Sequence, residues 1–112
     1  MRFATQTSGK CKLTWKQTSS NTAAGLTAAN IVGDALQDAV GVLITVETND
    51  IRYTLDGVTT PTSSAGTGLG HVMVAGGGIV LDGPGQVQNF SFISKTAGSH
   101  GVIHASSFFA KL

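Results

Sequence analysis

The sequence holds three kinds of residue that could do chemistry: a glycine-rich stretch, three histidines, and scattered thiol, hydroxyl and carboxylate groups. Eight of the fifteen glycines fall between Gly66 and Gly85. Glycine-rich loops can cradle phosphates, so a nucleotide site is the first chemistry to test. A dinucleotide loop needs a third glycine where Met73 stands. A P-loop needs Gly-Lys-Ser/Thr at the start of a helix, and no lysine lies between Lys16 and Lys95. The residues after the glycines are β-formers, so no helix N-terminus is available to receive a phosphate. His100 and His104 share a face in an extended chain but lie about 13 Å apart there, too far for one metal ion. His71 has no ligating neighbour in sequence, and His104 reads as a hydrogen-bonded, half-buried side chain. Ser99 is adjacent to His100, but neighbouring strand residues point to opposite faces, and the pair lacks the Gly-x-Ser-x-Gly elbow. Cys11 lies on an apolar strand face and reads as an inert core thiol. Asp50, Asp56 and Asp82 sit at turns, where aspartate bonds local backbone. The expectation is a non-enzymatic protein with no cofactor and no metal.

The elements that would position such residues are mostly strands. In "KCKLTWKQ", Cys11, Leu13 and Trp15 alternate with Lys10, Lys12, Thr14 and Lys16, which is a half-buried strand. Val40, Val42, Ile44 and Val46 line one face of a β-branched run. Ile51, Tyr53 and Leu55 point inward from the next strand, with Arg52 and Thr54 outward. Asn49-Asp50 joins these two strands as a hairpin or a sharp corner. "VTTPTSSAGTGLG" is a long polar loop. "HVMVA", "IVLDG" and "NFSFIS" are short strands. "PGQVQ" connects the last two, and Phe90 and Phe92 share a face. The final strand places Ile103 and Ala105 opposite Val102 and His104. Between Thr27 and Val40, helical spacing (Ala28, Ile31, Val32, Ala35, Leu36, Ala39) competes with a strand through Ile31-Val32. Seven or eight short strands with turns every 8–12 residues predict an all-β protein, an antiparallel β-sandwich of immunoglobulin-like or jelly-roll-like type.

Length and composition narrow the function. A chain of 112 residues makes one domain, residues 1–112. Charged residues are 12 % of the chain, about half the usual share, which suits a surface packed against other proteins. The net charge of +1 gives no reason to expect a nucleic-acid partner. No run approaches the roughly 18 apolar residues of a membrane span, and no export leader is apparent. The lone Cys11 forms no internal disulfide. Basic residues crowd the first thirty positions, while every acid comes later. Of Phe108 and Phe109, one must face away from the core if both lie in a strand. That one is a candidate subunit contact.

From Val40 to Ser94 the chain resembles small virion proteins of tailed bacteriophages. The resemblance rests on Val46 to Thr48, Asn49 to Arg52, Asp56-Gly57, Pro61-Thr62, Ala75-Gly76 and Asn89-Phe90. It departs from the pattern in the inserted "AGTGLG" before His71. The resemblance implies a β-sandwich that decorates or cements the capsid, or builds a neck, tail or fibre. It also implies a strand at Ile31-Val32 with a loop from Asp34 to Ala39. The partners would be the major capsid protein or other virion proteins, together with further copies in a homo-oligomer. The location would be the virion, assembled in the host cytoplasm. The interface expected on this reading is Arg2, Phe3, Lys10 and Lys12 in the N-terminal arm, Thr67, Leu69 and His71 in the loop, and Phe108, Phe109 and Leu112 in the tail. "IRYTLDG…PT" also resembles carbohydrate-binding, immunoglobulin-like modules, which would need Trp15 or Tyr53 exposed in a groove.

Overall fold

A computed structural model describes residues 9–33, 38–64 and 66–110. The strands are β1 (Lys10–Thr18), β2 (Ala24–Gly25), β3 (Gly41–Glu47), β4 (Ile51–Thr54), β5 (His71–Met73), β6 (Gly78–Asp82), β7 (Ser91–Ser94) and β8 (Val102–Phe109). Two short helices, α1 (Ala28–Ile31) and α2 (Pro84–Asn89), interrupt them. The strands form two four-stranded antiparallel sheets, ordered β1-β8-β3-β6 and β2-β7-β4-β5. The core lies between the sheets. Val42, Ile44, Val46, Leu81, Ile103, Ala105 and Phe109 enter it from the first sheet; Ile51, Met73 and Phe92 enter it from the second. The expected β-sandwich is therefore the fold.

Only β4 and β5 are both consecutive and paired; every other consecutive pair crosses from one sheet to the other. Strands β3 and β4 run as one arm of a bent ribbon, and β5 and β6 run back as the other. A second ribbon, β1 and β2 against β7 and β8, crosses between the sheets in the same way, and this wound order is the jelly-roll arrangement rather than the immunoglobulin one.

The ribbon explains an unusual residue. Thr45 faces Gly78 and Ile51 faces Met73, so one arm takes six steps where the other takes five. The extra residue is absorbed at the corner, where Thr48 adopts φ 80°, the only non-glycine with positive φ among the described residues. Asn49 N–H donates back to Glu47 C=O at 3.0 Å, so Thr48 is the central residue of a γ-turn, a strained conformation that bends the chain sharply. The facing corner closes with Gly76 N–H donating to Val46 C=O and Val46 N–H donating to Gly77 C=O. Asn49-Asp50 thus makes a corner between sheets. The glycines at 76–78 make a second corner rather than a β5–β6 hairpin turn.

Four more expectations change. Residues 28–31 form one helical turn and Val32 bridges to Asp38, so the strand at Ile31-Val32 is absent; residues 34–37 lie outside the described residues. Gly83-Pro84 opens the six-residue helix α2, which buries Val87 at one end of the sandwich. Proline at the first helical position loses no hydrogen bond, which is why "PGQVQN" can turn helical there. Cys11 is exposed, not core. The register of β1 shifts between Cys11 and Leu13, so these two no longer share a face and Cys11 lies beside Phe108 on the outside. Arg52 and Thr54 do point away from the core, yet both are buried. The loop from Thr59 to Gly70 folds back over them.

Candidate interface

That loop is fixed by its own chain. Thr54 Oγ1 donates to Thr59 C=O at 2.7 Å, and Asp56 accepts both the Val58 and Thr59 N–H groups. Those two amides, with the Thr59 hydroxyl, hold the Asp56 carboxyl down at about 2, against an ordinary 3.8. Further along, Thr62 N–H donates to Leu69 C=O, Leu69 N–H donates to Thr62 Oγ1, and Ser64 N–H donates to Lys95 C=O. Arg52 lies beneath and donates from Nη1 to Gly70 C=O at 3.2 Å. Gly68 must be glycine because a Cβ there would sit 2.6 Å from Arg52 Nε and also strike Thr62 C=O. The inserted "AGTGLG" is thus part of a lid on the second sheet.

The lid and β5 border a groove of about 350 Å³ lined by Thr54, Leu55, Asp56, Thr59, Leu69, Gly70 and His71. The structure brings Leu69 and His71 together here, with exposed Thr67 nearby on the same loop. The His71 ring lies 5.5 Å from that of Tyr53, which in turn lies 5.7 Å from Phe90. Val72 is exposed on edge strand β5, Val74 is exposed just after it, and Val58, immediately before the lid, is 87 % exposed. The sequence reading did not single out these three valines. Their alternation with Met73 marks β5 as a strand, but only the sheet order reveals it as an edge.

The remaining predicted contacts separate. Lys10, Lys12 and Phe108 lie at the β1–β8 side of the first sheet, away from the lid. Phe109 is 1 % exposed and belongs to the core, so it offers no contact surface. Lys12 Nζ lies over its ring, 5.1 Å from the centroid. Phe108 takes the outward position and is half-buried. Arg2, Phe3 and Leu112 lie outside the described residues.

At the opposite end of the fold from α2, the corners gather polar groups. A cleft of about 210 Å³ is lined by Thr48, Asn49, Asp50, Lys95, Thr96 and Ser99. Lys95 Nζ lies 4.0 Å from Asp50 Oδ2, while Asp50 Oδ1 accepts the Ala75 N–H. Behind the cleft, His100 Nδ1 lies 2.7 Å from Ser94 Oγ, and Ser94 Oγ lies 2.7 Å from Ser19 Oγ. This superficially resembles a nucleophile and its base. Ser94, however, is fully buried and out of a substrate's reach. Ser19 Oγ also accepts the Gly101 N–H. The network ties β7 to the start of β8. His104 Nε2 pairs with Glu47 Oε2 at 2.9 Å on the outer face of the first sheet, close to its expected role. Trp15 is half-buried with its indole N–H donated to Gln17 Oε1, and half-buried Tyr53 lies in the aromatic row with Phe90.

Among the described residues, no three His, Cys, Asp or Glu side chains gather as metal ligands, and no helix is long and apolar enough to cross a membrane. No known family, curated protein or solved structure matches the chain.

Proposed function

We propose that this chain is a structural protein of a tailed-bacteriophage virion that works by binding rather than by catalysis. Its role would be capsid decoration or cementing. The observation that carries this reading is the apolar surface along the lid and β5. Leu69, which lines the groove, and Val72 and Val74, which follow His71 along the chain, are 54 %, 42 % and 57 % exposed. Clustered apolar exposure of this kind marks a contact surface. The sparse charge of the chain fits the same use. Jelly rolls occur in viral capsid domains but also in lectins and cupins, so the fold is compatible with the reading without deciding it. The resemblance over residues 40–94 supplies the choice of a virion.

On this reading the major capsid protein is the partner. Many symmetry-related copies bridge neighbouring subunits, so modest contacts sum to a large stabilisation of the shell. The test uses heads assembled without the chain and then mixed with purified protein. Saturable binding and a higher disruption temperature are expected, and both should weaken with Leu69→Ser and Val72→Ser. No binding to heads would overturn the capsid role; binding to isolated necks or tails instead would move the protein there.

A further inference from the structure

We propose that β6 is a self-pairing edge through which two copies join their first sheets into one continuous eight-stranded sheet. The proposal does not depend on the virion reading. Among the described residues four strands form sheet edges, and three are protected against pairing. β1 carries Lys10, Lys12 and Lys16 and a register break at Cys11/Leu13, while β2 has two residues and β5 three. Short length, lysines and bulges are the usual means of blunting an edge. β6, "GIVLD", has five residues, an unbroken register with β3, and no lysine or proline.

The hydrogen bonds show which of its groups are free. Gly83 N–H donates to Val40 C=O and Val46 N–H to Gly77 C=O. Antiparallel pairs alternate, so Leu81 and Ile79 are the β6 residues that bond to β3. The N–H and C=O of Gly78 and Val80 therefore point to the open edge. The Asp82 N–H also points there, but it already donates to Gln86 Oε1 at 2.8 Å.

A second copy fits this edge about a twofold axis at Val80. Val80 then faces Val80, and the two exchange both backbone hydrogen bonds. Gly78 N–H donates to Asp82 C=O of the other copy at each end. Each Asp82 faces a Gly78, so the two acids stay about 14 Å apart and no like charges meet. On the outer face Leu43 lies across from Val80. Pairing makes an unbroken apolar row, Leu43–Val80–Val80–Leu43, and covers the shallow apolar groove lined by Leu43, Thr45, Gly78, Ile79 and Val80. Such an interface is isologous and closed. Its small size places it at the weak end, with association in the roughly micromolar range or above.

Sedimentation of the full chain across a concentration series, with amide hydrogen exchange at each concentration, tests this. The expected result is a monomer of 11.4 kDa passing to a dimer, with Val80 N–H exchange slowing by about tenfold or more as the dimer forms. Val80→Pro removes only an outward N–H, which edge strands tolerate, and should leave a folded monomer. Val80→Lys, which sets two charges face to face, should do the same and serves if the proline variant does not fold. A chain that stays monomeric, fast Val80 exchange in a dimer, or a dimer that survives both substitutions would each overturn the proposal.

Discussion

Replacing Thr48 with glycine should stabilise the protein, although threonine is the better strand former. Thr48 holds φ 80° at the centre of the γ-turn where β3 turns into β4. Its Cβ crowds the backbone in that region, which costs a residue of L configuration about 1–2 kcal/mol. Glycine removes the clash but adds unfolded-state freedom worth about 0.5–1 kcal/mol. The side chain is exposed, so little packing is lost. The net gain is about 0.5–1 kcal/mol, or a rise in Tm of about 2–5 °C for a domain of this size. Asparagine tolerates the left-handed region better than a β-branched residue does, so Thr48→Asn should fall between the two. Thermal unfolding followed by circular dichroism measures the series. A fall in Tm on Thr48→Gly, or the order Thr above Asn above Gly, would refute the strain argument.

Three other outcomes are expected. Ser94→Ala should cost about 1–3 kcal/mol in denaturant unfolding, because it removes the hydroxyl partner of buried Ser19 Oγ and of half-buried His100 Nδ1; an unchanged unfolding midpoint would count against the network. Gly68→Ala should loosen the lid and expose the segment from Thr62 to Leu69 to limited proteolysis, with the β-sheet circular dichroism retained; unchanged protease resistance would count against the lid. The Asp56 carboxyl should titrate near 2 by carbon NMR, so its contribution to stability is present above its ordinary 3.8 and disappears as pH falls through about 2. A midpoint at the ordinary value would show that the Val58 and Thr59 amides are not held.

Much of the fold was legible because β3 and β8 bury one face only. Val42, Ile44 and Val46, then Ile103, Ala105 and Phe109, repeat with the strand period and need no long-range information. What escaped the sequence depends on distant partners. Whether Asn49-Asp50 joins a hairpin or a corner is decided by β5 and β6 crossing beside it, more than twenty residues later. Cys11 follows the apolar alternation and is still exposed, because one extra residue in β1 turns it outward. Arg52 reads correctly as outward-facing, and only the lid buries it. Of the candidate interface, Leu69 and His71 meet at one groove, while Phe109 was lost to the core. Val72 and Val74 stand exposed because β5 ends its sheet.

The most direct test of the proposed role is a cryo-electron microscopy reconstruction of phage particles produced from the genome that encodes this chain. The account predicts jelly-roll density in three- or sixfold clusters on the outside of the head, with the lid and β5 turned toward the shell. A sixfold or twelvefold ring on the tail axis would contradict the capsid role, and particles without the chain would contradict a virion role altogether.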